Sequence, residues 1–202
     1  MSIELIVPPE LRGKNTKLFS SARCESTTSA KELYNLARQR LLSPGEWHKH
    51  AGRLSAEFDM FDENKIETNE LAKPGWFIRI DIPGPGPKSG DGFDWVKIDL
   101  IEDARCGDLE DHIGLRVVPS INPFNPGDAE SHFLERGSSS TFIVNRVAEQ
   151  VFASYFGRNE KINFHPNSML EKARNGIVGL TAFAGLSELH WKSLINGFLA
   201  KP

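Results

Sequence analysis

The 202-residue chain predicts an α+β fold: an antiparallel sheet of about six or seven strands, with two N-terminal helices and a long C-terminal helical segment packed on one face. Three observations carry this expectation. Trp76, Ile78, Ile80 and Ile82 alternate with Phe77, Arg79 and Asp81, and beyond a Gly/Pro-rich connector Val96, Ile98 and Leu100 alternate with Trp95, Lys97 and Asp99. A period of two marks half-buried strands, and consecutive strands joined by a flexible connector are most simply antiparallel neighbours. Before these strands the period is helical, with Leu33, Leu36, Ala37, Arg40 and Leu41 on one stripe. After them it turns helical again, at Leu170, Ala173, Ile177, Leu180 and Ala184 and then at Trp191, Leu194, Ile195 and Phe198.

Taken in order, Ile3, Leu5 and Val7 give a short edge strand that Pro8-Pro9 ends. Residues 11–28 are polar and weakly patterned, so 8–28 is expected to be a loosely held extension of a single α+β domain spanning 1–202. Ser29 with Glu32 reads as a capping box opening the first helix. Ser43-Pro44-Gly45-Glu46 opens a second, short one that carries Trp47 and Ala51 and stops near Gly52. A strand over Leu54–Met60 and a polar turn at Asp62–Lys65 precede the two central strands. A charged loop, Glu102–Asp111, leads to a short strand at Ile113–Val118, and residues 120–128 form a loop. His132–Leu134 reads as a short strand, and Thr141–Arg146 with Val151–Phe156 as the last hairpin. Ser168 and Glu171 cap the C-terminal helical segment. Its glycines at 176, 179 and 185 each weaken a helix by about 1 kcal/mol relative to alanine, which predicts close packing against the sheet.

This element order is similar to that of the helix-grip fold, in which a curved antiparallel sheet wraps a long C-terminal helix around a ligand cavity. The resemblance spans residues 1–202 in element order and includes no residue motif. It implies a cavity between the sheet and the C-terminal helix. A partly closed β-barrel with outlying helices is the competing architecture.

Composition removes several function classes. The net charge of −3 and the lack of any basic run argue against a nucleic-acid surface. No run of about 18 apolar residues exists to cross a membrane. Cys24 and Cys106 are too few for a disulfide framework, and the N-terminus lacks the pattern of a secretion signal, so a cytoplasmic protein with reduced thiols is expected. The loop around Lys88-Ser89 fails as a phosphate cradle, because its prolines supply no N–H and a strand follows it. Asp59, Asp62 and Asn64 lack the glycine of a calcium loop, and the histidines form no ligand set, so no metal and no cofactor are expected.

Two features remain as candidate binding residues. Trp76 and Trp95 sit where a cavity wall would run, and Gly157-Arg158-Asn159-Glu160 gathers a guanidinium, an amide and a carboxylate at the end of the last strand. A strand-end ion pair is the simpler reading of that tetrad; Arg158 gripping an anionic group is the functional one. No nucleophile, base and orienting group occur together, so no catalytic residue is assigned. The expectation is a protein binding a small amphipathic ligand between sheet and C-terminal helix. The alternatives are a homodimer or partner interface on the apolar helix Ile177–Leu199, and a hydrolase or isomerase pairing a histidine such as His132 or His165 with a carboxylate.

Overall fold

The computed structural model describes residues 6–52, 56–81, 91, 93–105, 108–125, 134–161 and 188–201. Seven strands are found: β1 (Lys14–Arg23), β2 (Glu57–Phe61), β3 (Phe77–Asp81), β4 (Asp94–Arg105), β5 (Glu110–Pro119), β6 (Ser139–Val147) and β7 (Gln150–Glu160). They form one antiparallel sheet in the order β1-β7-β6-β5-β4-β3-β2. β2 through β7 are sequential neighbours, whereas β1 crosses to the far end and pairs with β7, from Lys14↔Glu160 to Arg23↔Gln150. β1 and β2 are the two edges, so the sheet is open and not a barrel.

Alternation sends one set of side chains to the helices. Phe58 and Met60, Ile78 and Ile80, Val96 and Ile98, Ile113, Leu115 and Val117, Phe142 and Val144, and Val151, Ala153 and Tyr155 all join the core on this helix face. α1 (Thr27–Leu41) lays Ala30, Leu33, Tyr34, Ala37 and Leu41 on it. A 3-10 turn (Pro44–Glu46) runs into α2 (Trp47–His50), whose Trp47 meets Phe142, Phe58 and Phe198 at centroid distances of 4.8, 5.5 and 6.1 Å. α3, helical over residues 188–198, buries Leu194, Ile195 and Phe198 completely. Arg40 Nη1 donates to the carbonyls of Gly197, Phe198 and Ala200, so α3's last acceptors are satisfied by a side chain from α1. Gly197 is the contact that lets α3 approach α2, since a Cβ there would collide with the His50 carbonyl.

Several sequence expectations are corrected. The stretch 8–28 is not a loose extension, because it supplies β1 and the cap of α1. That cap is Ser26: its Oγ accepts from Ser29 N at 3.2 Å while Ser29 Oγ accepts from Ser26 N at 3.1 Å. A serine thus does the work expected of Glu32, one turn earlier. Ser43 caps nothing, because its hydroxyl donates to Gln39 O at 2.9 Å. The charged loop 102–111 is mostly strand, as β4 continues to Arg105 and β5 starts at Glu110. Leu134 makes a single bridge and no strand. Residues 1–5, 132, 133 and the expected helix at 168–184 with its glycines lie outside the described residues, and Ile6 and Val7 are not in a strand.

Among the described residues, the sheet's outer face is covered in two places. Residues 6–12 run over it as a strap. Ile6 is buried in the notch left by Gly114, where a Cβ would meet its side chain, and its carbonyl accepts from Arg116 Nη1 at 2.9 Å. Asn159 holds the strap's other end, accepting from Leu11 N at 2.7 Å and donating to Pro9 O at 3.3 Å. The segment after β5 folds over the opposite side, where Phe124 packs on Trp95 and Phe61.

Candidate functional site

Pairing register builds a polar cluster on the helix face. β6 sets Ser140 opposite Gly157 and Phe142 opposite Tyr155, while β1 sets Thr16 opposite Gly157. Strict alternation beyond Tyr155 and Gly157 would point Glu160 at the outer face. The register shift between Lys14 and Thr16, with Asn159 in the left-handed region at φ 56°, re-aims it inward. Gly157 leaves the space: a Cβ there would collide with the Glu160 carboxylate.

Tyr155 is 1% exposed, and its hydroxyl lies 3.1 Å from Ser140 Oγ and donates to Glu160 Oε1 at 3.2 Å. Thr16 Oγ1 donates to Glu160 Oε2 at 3.1 Å. The walls are aromatic. Trp191 of α3 stacks on Tyr155 at 5.4 Å, and Phe142 lies 5.1 Å from Tyr155 and 5.3 Å from Trp191. A Lys14–Glu188 ion pair closes the rim between β1 and α3. Burial raises Glu160 above the usual carboxylate range, outweighing the hydrogen bonds from Thr16 and Tyr155 that pull it down. Burial, and then the nearby Glu160 charge, push the Tyr155 phenol well up. The arrangement is a carboxyl that holds its proton to higher pH than usual, beside a phenol that keeps its own.

The sheet separates the residues expected to form one site. Glu160 belongs to this cluster. Trp76 shares the face but lies three strands away, with its indole donating to Glu63 at 2.5 Å and Lys73 over its ring. Trp95 and Arg158 face the other way. Trp95 is buried against Phe61 and Phe124, and Arg158 is 4% exposed over the Phe156 ring, donating to Gly157 O at 3.0 Å and Thr16 O at 3.3 Å. Asn159 ties down the strap. Sequence reasoning missed Tyr155, Ser140 and Thr16. The available signal was a polar residue at an inward position of an otherwise apolar alternation, as in Val151, Ala153, Tyr155 and in Ser140, Phe142, Val144.

His132 and His165 lie outside the described residues. Among the described residues no group of three or more His, Cys, Asp or Glu could hold a metal ion, and no helix is long and apolar enough to cross a membrane.

No protein-family model matches the chain, and no curated protein matches it in sequence. Among solved structures it is similar to ginseng major latex-like protein 151 from Panax ginseng (15% identity, 93% of this chain and 97% of that one, TM-score 0.39). It is also similar to the Zhui aromatase/cyclase from Streptomyces sp. R1128 (7% identity, 92% and 91%, TM-score 0.45). A third likeness is to truncated norcoclaurine synthase from Thalictrum flavum (9% identity, 96% and 100%, TM-score 0.38).

Proposed function

We propose that the protein binds a small amphipathic ligand between the helix face of the sheet and the C-terminal helix, with the ligand's polar end at Glu160 and Tyr155. The observation that carries this reading is a carboxyl group set inside an aromatic wall with neutral hydroxyls for company. Among the described residues Glu160 forms no ion pair, and the Thr16 and Tyr155 hydroxyls donate to its two oxygens. Such a group is completed by a hydrogen-bond donor, so the ligand's head is an amine or a hydroxyl and its body is apolar or aromatic.

The homodimer reading is weaker, because Leu194, Ile195 and Phe198 of α3 are already buried within the chain. A cytoplasmic setting suits the ligand reading, with Cys24 a buried free thiol.

The test uses 2-phenylethylamine and 2-phenylethanol as probes. Each should raise the melting temperature and change tryptophan emission, since Trp191 forms the wall. A broad set of amines and alcohols that moves neither signal would retire the proposal.

A further inference from the structure

A second site of different chemistry lies on the outer face. Between the strap and the segments that flank β5 and β6 there is a cleft of about 670 Å³, room for a small organic molecule and more than an ion needs. Pro8, Val118, Pro119 and Ile121 give it apolar walls, while Arg116, Arg136 and Ser139 bring polar groups to it. We propose that this cleft binds a small organic carboxylate, its anionic end at Arg116 and Ser139 and its apolar body against Val118 and Ile121.

Three observations support the assignment. Arg116 is held in one orientation, its Nε donating to Asp99 at 2.6 Å and its Nη1 to Ile6 O at 2.9 Å. Nη2 also meets Asp99, at 2.6 Å, so three of five N–H groups are engaged and two remain for a ligand oxygen. Secondly, Ser139 lines the cleft, is 4% exposed, and its hydroxyl is buried without a hydrogen-bond partner. Buried hydroxyls are nearly always paired, so an orphan in a cleft wall points to a missing acceptor or donor. Its neighbours on the same face repeat the pattern, for Thr141 Oγ1 and Arg158 Nε are also buried and unpaired. Thirdly, among the described residues the lining brings together the guanidiniums of Arg116 and Arg136 and the carboxylate of Asp99, which pairs with Arg116. The helix-face cluster has the opposite preference, so the two sites select different ligands.

Adjacent residues report the two faces separately: Val117 is in the helix-face core, and Val118 lines the cleft. Methyl NMR of the whole protein, titrated with 2-naphthoate, should therefore shift Val118 and Ile121 saturably and leave Val117 in place. 2-Naphthamide should bind at least about tenfold more weakly, since it lacks the charge. Ser139→Val should weaken 2-naphthoate binding several-fold while the melting temperature holds or rises, and the exposed Arg136→Gln should weaken binding several-fold as well. The proposal is overturned by an absence of saturable shifts, by shifts confined to Val117, by equal binding of the amide, or by unchanged binding in both variants. The helix-face reading survives each of those results, because its probes are amines and alcohols.

Discussion

Trp191 on α3 and Tyr155 on β7 lie face to face, with ring centroids 5.4 Å apart and planes 20° from parallel. The stack joins helix to sheet at the point where the Tyr155 hydroxyl meets Glu160. Trp191→Ala should lower unfolding free energy by about 3 kcal/mol, the usual loss for truncating a large packed aromatic. Tyr155→Phe keeps the stack and removes the hydrogen bond, so it should cost about 1 kcal/mol and weaken amine binding. Urea unfolding of both variants checks the order; a larger loss in Tyr155→Phe would contradict it.

Glu160 makes stability depend on pH in an unusual direction for a carboxylate. Its folded pKa is raised by burial, so the folded state binds the proton more tightly than the unfolded chain. Its contribution is complete below the unfolded value of about 4.5 and declines as pH rises through the folded one. Relative to wild type, Glu160→Gln should therefore gain stability as pH goes from 4.5 toward 8. Parallel melting curves across that range would refute the assignment of Glu160 to a partly buried, carboxyl-raising site.

His190 acts with the opposite sign. Burial lowers its pKa, and its Nε2 is buried without a partner, packed 4.9 Å from the Trp191 ring and 5.9 Å from Phe58. The unfolded chain takes up the proton first, so this stability is present above about pH 6.5 and is lost as pH falls through the folded value. His190→Gln should flatten the acid limb of the stability profile. An NMR titration of the imidazole checks it directly, and a midpoint at or above 6.5 would contradict the burial argument.

Arg146 is fully buried, with Nε donating to Asp111 Oδ2 at 2.8 Å and Nη1 and Nη2 donating to the Ala148 and Asp108 carbonyls at 3.1 and 3.0 Å. Arg146→Met strands the Asp111 carboxylate and should destabilise by about 3–5 kcal/mol. Arg146→Met combined with Asp111→Leu should recover much of that loss. Chemical denaturation of the three proteins measures the coupling, and additive losses would mean that the pair does not act as a unit.

These residues also show where sequence reading reaches and where it stops. The alternation in β3, β4, β6 and β7 was legible because their inward positions are large and apolar, as in Ile78, Ile98, Phe142 and Val151. β1 was not, because an edge strand with inward Thr16, Leu18, Ser20 and Ala22 carries little hydrophobic signal. The outer ends of β4 and β5 read as loop because they are charged. Asp103 is in fact matched to Arg38 of α1, and Asp111 to Arg146, partners that only the fold brings near. The tetrad at the end of β7 was visible as a group, but a backbone irregularity decides which face each member sees. Period-two counting cannot anticipate such a switch.

The pairing of β1 with β7 has a consequence for how the molecule is made. Residues 14–23 leave the ribosome long before their hydrogen-bonding partner, residues 150–160, has been made. At ordinary translation speed that interval is on the order of ten seconds. The nascent segment waits through it with its backbone hydrogen-bonded to water instead of to β7, so this margin of the sheet is sealed only after β7 has been made.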